Sequence, residues 1–211
     1  MHRDPPDHYF SKSGKYLGSD GIGTKVRIHN TAQTPQDLRT SLRTNGIFGT
    51  ASNSREVAIL HDQGLGSQVY QGAKGSTGEN SYSFILDTEI AVAYPSKNSN
   101  VTNSTNHSED IPLTSVSIDG RASHITRKGD KTSEVLIGGI HAHKNSTNGV
   151  TMIGDANTDG KSDQAAAQAS GVSIYAADKN GVSKVTPGGT KSRVPDQNLV
   201  KSALNDYIKN Q

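Results

Sequence analysis

The 211-residue chain contains no cysteine. That excludes disulfide staples and any thiolate nucleophile or thiolate metal ligand, and it leaves the redox compartment open. Apolar residues are also sparse. Val, Ile, Leu and Phe make up about a fifth of the chain, which is the edge of what disordered proteins show. The formal net charge is only +2, so self-repulsion gives no argument for disorder, and a small core is expected instead. No apolar run approaches the ~20 residues that a membrane-spanning helix requires. The start, Met1 to Asp7, has none of the apolar character of a signal peptide and reads like the middle of a longer chain. Aromatics are limited to seven Tyr and three Phe, and Lys and Arg are scattered, so no nucleic-acid surface is expected.

What the chain does have is glycine, 22 of them, with abundant Ser, Thr and Asn. This composition predicts short elements joined by generous loops. His8 to Gly18 reads as a hairpin turning at Ser13-Gly14, and Lys25 to Ile28 as a short strand. Thr34-Pro35-Gln36-Asp37 opens a helix, with Thr34 able to cap it and Leu38 and Leu42 on one face. Glu56 to Leu60 reads as a buried strand and Ser81 to Ala93 as another. Pro95 to Asp110 is a polar loop with Asn-x-Ser/Thr triplets at Asn100, Asn103 and Asn106, which are glycosylation acceptors only in a secretory pathway. Further strands are expected over Leu113 to Ile118, Glu134 to Ile140, Val172 to Tyr175 and Gly181 to Val185. The Ala-rich stretch Ser162 to Ser170 is a helix stopped at Gly171. An amphipathic helix from about Asp196 closes the chain.

Six of the eight histidines stand alone in polar or loop surroundings, where a surface or hydrogen-bonded role is the ordinary one. His141-Ala142-His143 differs, because it ends the apolar run Glu134 to Ile140. Residues i and i+2 of an extended chain project to one side, so both imidazoles can meet one divalent ion at about 2.0–2.1 Å. A third ligand must come from elsewhere. Asp163, at the start of the Ala-rich helix, can cap that helix or turn towards the end of the preceding strand. Two His and one Asp leave the fourth tetrahedral position open, which is the arrangement of catalytic rather than structural zinc. Hydrolysis at such a site also needs a general base outside the ligand set, usually a Glu.

Four stretches, Asn53 to Leu60, Ile140 to His143, Ser162-Asp163 and Gly171 to Tyr175, resemble the JAB/MPN (JAMM) metallopeptidases. The likeness is to the JAB-like toxin domains of bacterial polymorphic toxins, and Tyr9 to Gly21 is similar to the segment found before such domains. The resemblance spans roughly Thr34 to Ser183 in patches. It implies a zinc site of His141, His143 and Asp163, with Glu56 handling the catalytic water, and hydrolysis of an amide or isopeptide bond. Glu79 and Glu89 are rivals for the base. The chain departs from the family pattern at Lys144, where Pro is usual, and at Gly160, where a Ser is usual. The missing hydroxyl would have to come from Thr158 or Ser162.

A second motif claims the same aspartate. Asp155, Asn157, Asp159 and Asp163 fit a D-x-N-x-D-G-x-x-D calcium loop, with Gly160 at the sharp turn. Position 12 is Ala166 where an EF-hand needs a bidentate carboxylate, and no second copy is present. A polar turn capping the helix is the plain alternative.

The expected fold is therefore α+β, a mixed β-sheet flanked by helices and JAB/MPN-like. Residues 1–30 would form an N-terminal hairpin or pre-toxin segment, and 31–211 the toxin domain, with inserted loops near 95–110 and 145–158. The expected function is a zinc metallopeptidase-type toxin or effector acting on a protein or peptide. It would be secreted or delivered against competing bacteria and matched by a cognate immunity protein, without nucleic-acid binding or membrane insertion. The alternative is a secreted, non-catalytic binding module stabilised by Ca2+ at 155–163.

Overall fold

The computed structural model describes residues 7–20, 25–44, 51, 53–60, 63–74, 81–97, 116–118, 121–124, 134–143, 147–155 and 162–211. The expected elements at 98–110, 111–115 and 156–161 lie outside them. The chain is α+β, with four helices and two mixed sheets among the described residues.

The N-terminal sheet contains β1 (His8–Ser11), β2 (Tyr16–Ser19), β3 (Val26–His29) and β4 (Ser54–Glu56), in the order β2-β1-β3-β4. The expected hairpin forms β1 and β2, and β3 runs parallel to β1. Helix α1 (Pro35–Thr44) begins as Thr34 predicts. The Thr34 hydroxyl accepts from Asp37 N–H at 3.1 Å while the Asp37 carboxylate accepts from Thr34 N–H at 2.9 Å, a reciprocal cap. Alternation along β1 divides its side chains between two layers. Tyr9 joins Leu17, Ala32, Leu38 and Ala51 beneath α1, whereas Phe10 and Ile28 enter the main core. Residues on both sides of position 30 thus build this sheet, and it shares its core with the rest of the chain.

The larger sheet contains β5 (Ala58–Ile59), β6 (Ser81–Asp87), β7 (Val92–Lys97), β8 (Val116–Ile118), β9 (Arg121–His124), β10 (Glu134–Ala142), β11 (Ser173–Asp178), β12 (Gly181–Val185) and β13 (Lys191–Val194). Its main path is β13-β12-β11-β10-β6-β7-β5. All nine residues of β10 are buried, as a strand with neighbours on both edges and cover on both faces requires. The connection from β10 to the parallel strand β11 passes through α3 (Asp163–Ser170). Ser162 caps α3, its hydroxyl accepting from Ala165 N–H, and Gly171 ends it in the left-handed conformation.

Helices α2 (Leu65–Lys74) and α4 (Leu199–Lys209) cover the sheet face opposite α3. Leu199, Val200, Ala203, Leu204 and Tyr207 of α4 are buried there, and Tyr207 stacks on Phe10 at 6.0 Å between ring centres. Full burial of each large apolar side chain contributes about 1.5–3 kcal/mol. Gly66 lies so close to Val182 that a Cβ would sit 2.2 Å from its Cγ2, so α2 can approach β12 only with glycine there.

Three expectations change. Glu56 to Leu60 is not one buried strand: β4 belongs to the small sheet and β5 to the large one, and only Val57, between them, is buried. Ile59 and Leu60 are exposed because β5 is the edge of the large sheet. Ser81 to Ala93 is a hairpin, turning at Thr88–Ala91, and β7 continues to Lys97. Pro95 is tolerated in β7 because β5 pairs only with Val92 and Ala93 and leaves the position unclaimed on that side. Among the described residues, no helix is long and apolar enough to cross a membrane.

Candidate metal centre

The site lies at the carboxyl end of β10. Pairing registers place Ser183, Ala176, His141 and Ser81 side by side across β12, β11, β10 and β6. Directly paired residues project to the same face, which is the face covered by α3. The small side chain of Ala176 leaves room beside the imidazole. His143 follows two residues on, its N–H bonded to Ala177 O at 2.8 Å.

Asp163, in the first turn of α3, points its carboxylate at both rings. One ligand atom from each of His141, His143 and Asp163 lies within 4.8 Å of the others. His141 Nε2 stands 3.0 Å from Asp163 Oδ1, and His143 Nε2 stands 3.6 Å from Asp163 Oδ2. The two Nε2 atoms are 2.8 Å apart. Tetrahedral ligands at about 2.0–2.1 Å from one ion are about 3.3 Å apart, so a few tenths of an ångström of ring movement would admit a metal. His141 and Asp163 are buried and His143 is partly so, and the three can hold a metal ion.

The surroundings set the protonation of the ligands. His143 Nδ1 is 2.7 Å from Gly149 O. A carbonyl only accepts, so Nδ1 carries the proton and the Nε2 lone pair faces the centre, the state in which imidazole binds metals. Burial, reinforced by the charge of His141, lowers the His143 pKa to about 4 against the opposing pull of Asp163, Gly149 and Asp178. Burial by itself would raise the Asp163 pKa. The charge and hydrogen bond of His141, with His143 and the Thr151 N–H, outweigh it and hold the carboxyl at about 2. At neutral pH the site thus presents a neutral His143 and an ionised Asp163.

A strapped loop, residues 147–155, completes the site. Thr151 donates to Asp163 Oδ2 through its N–H at 2.7 Å and its hydroxyl lies 3.1 Å from the same oxygen. Val150 N–H donates to the Ser183 hydroxyl at 2.8 Å. Arg193 and Asn180 both donate to Thr147 O, and Arg193 also pairs with the buried Asp178 at 3.2 Å. Gly149 has φ +66, and a Cβ there would lie 2.0 Å from Ser183 Oγ. Only glycine can therefore bring its carbonyl under His143. Single Ser, Thr and Gly residues in a polar stretch gave no sequence signal for these roles.

The structure does not bring Glu56 to this centre. Glu56 ends β4 in the other sheet, half-exposed, with its carboxylate 2.7 Å from Lys25 Nζ. It is a carboxylate at a strand end, paired with a neighbouring lysine. Glu89 lies exposed in the β6–β7 turn, its carbonyl accepting from Arg55. Glu79 lies outside the described residues, as do Lys144, Asn157, Thr158, Asp159 and Gly160. The Ser162 hydroxyl is engaged in capping α3. Asp155 is exposed and accepts from Met152 N–H at 2.6 Å.

No family model, curated protein or solved structure matches this chain.

Proposed function

We propose that the chain is a zinc-dependent amide hydrolase of the JAB/MPN type, the toxin or effector part of a system directed against competing bacteria. The observation that carries this reading is the convergence of His141, His143 and Asp163 within 4.8 Å at the end of a central strand. Two imidazoles and one carboxylate are the donor set of open, catalytic zinc sites. Zinc held there supplies Lewis-acid polarisation of a carbonyl and acidifies water. The chain itself holds His143 in its metal-binding tautomer through Gly149 and fixes Asp163 through Thr151.

The remaining need is a carboxylate that takes a proton from the attacking water and passes it to the leaving amine. Glu56 is occupied with Lys25 on another sheet. Glu79 is two positions from Ser81 in sequence, and Ser81 pairs with His141. Glu79, a rival for the base by sequence, is therefore the first carboxylate to test. The calcium reading has less support, because both Asp163 oxygens are turned to the histidines and Thr151. A protein or peptide substrate, secretion or delivery to a target cell, and a cognate immunity protein all belong to this proposal.

The test combines expression toxicity with hydrolysis of amide-linked peptide and conjugate libraries by zinc-loaded protein. Glu79→Gln is expected to abolish both while zinc remains bound, and Glu56→Gln to leave both intact. Loss of activity with Glu56→Gln alone would overturn the assignment of the base. Full activity in His141→Ala/His143→Ala would overturn the proposal itself.

A further inference from the structure

Ser81 begins β6 and is 1% exposed. Among the described residues its hydroxyl is one of two buried side-chain polar atoms without a hydrogen-bond partner. Leaving a buried hydroxyl unpaired is destabilising. The cost is easily avoided, since alanine has nearly the same shape and no polar atom. The position is not an arbitrary one. Ser81 pairs with His141 and lies on the same face of the sheet, next to the imidazole that faces Asp163. The other side chains around the centre are committed. Thr151 is bonded to Asp163, Ser183 to Val150, and Ser162 to the α3 backbone.

We propose that the Ser81 hydroxyl belongs to the site and donates a hydrogen bond to the carbonyl or carboxylate oxygen of a ligand bound at the His141–His143–Asp163 centre. This rests on the metal-centre reading and deepens it by naming a positioning group for a ligand oxygen. A hydroxyl suits this role because it donates without adding charge to a site that already holds an ionised carboxylate. The unpaired hydroxyl is then a local stability cost that is relieved when a ligand binds.

The probe is acetate, a carboxylate of the class that amide hydrolysis releases, titrated into cobalt-loaded protein and followed by the visible Co2+ spectrum. In Ser81→Ala the acetate dissociation constant is expected to rise about tenfold, as loss of one hydrogen bond to a charged group implies. Cobalt content should stay at the wild-type value, and the metal-free variant should melt no lower than wild type. Unchanged acetate affinity in Ser81→Ala, or no acetate binding by cobalt-loaded wild type, overturns the inference and leaves the metal reading intact. A fall in melting temperature with no change in acetate affinity would assign the hydroxyl a structural role and also overturn it. Wild type that takes up no cobalt contradicts the metal reading itself.

Discussion

The chemistry of the site is decided by single atoms that hold others in place. Gly149 is the clearest case, because its carbonyl fixes the proton on His143 Nδ1 and its φ of +66 leaves no space for a Cβ. Gly149→Ala should therefore weaken metal affinity by about 10–100-fold, the usual cost of losing a partner that orients a metal-binding imidazole. Isothermal titration with zinc would measure it, and affinity within twofold of wild type would contradict it. The buried pair also imposes a pH dependence on the metal-free protein. His143 titrates at about 4 when folded and near 6.5 when unfolded. Between those values the unfolded chain binds more protons, so stability is greatest above pH 6.5 and falls as pH drops towards 4, by on the order of 3 kcal/mol. Asp163, ionised down to about pH 2, extends the loss below the ordinary carboxylate range. Urea titrations in chelator at pH 7.5, 5.5 and 4.5 should show this slope, and His143→Ala should make it shallower, with His8 and His29, whose pKa values burial also lowers, supplying the remainder. An equal slope in that variant would contradict the assignment. His141 and His143 were legible in sequence because strand alternation alone puts them on one side. Gly149, Thr151 and Ser81 were not, since their roles arise from pairing across 6 to 60 positions of chain.

Between elements, side chains from distant parts of the sequence do the joining. Helix α2 has no acidic residue in its first turn. Instead the Asp196 carboxylate, 129 positions away from Ser67, accepts from Gly66 N–H, Ser67 N–H and the Ser67 hydroxyl. An anion at a helix N-terminus that also satisfies free N–H groups is worth about 1–2 kcal/mol. Asp196→Ala should lower the unfolding free energy by that amount in urea titrations with an unchanged m-value, and a change within a few tenths of a kcal/mol would contradict it. This remote capping also explains why α2 was not anticipated, as Leu65 to Lys74 has no local start signal. Helix α1 was anticipated because Thr34 supplies its cap locally, and α3 because its Ala-rich run favours a helix, although its cap is Ser162 and not Asp163. The split of Glu56 to Leu60 between two sheets was hidden for a related reason. Five apolar-rich residues look alike in sequence whether they form one buried strand or a crossing between two edges.

At the scale of the molecule, the small and large sheets form one body. Phe10 and Ile28 lie in the same core as β10 and α4, Phe10 stacks on Tyr207, and the Thr88 hydroxyl donates to Lys12 O at 2.5 Å. Thermal unfolding should therefore be a single transition for probes in both sheets, and separate transitions would contradict a shared core. The α+β class was legible because element types follow from local periodicity and capping. Which sheet each strand joins depends on long-range pairing that periodicity does not encode. The same long-range geometry brings Asp163 back to the end of β10 through the α3 crossover and gathers three residues that could hold a metal ion. The most direct measurement is elemental analysis of protein purified without chelators, wild type beside His141→Ala/His143→Ala. About one zinc per chain in wild type and none in the double variant is the predicted result. Wild type without zinc, or equal zinc in both proteins, would contradict it.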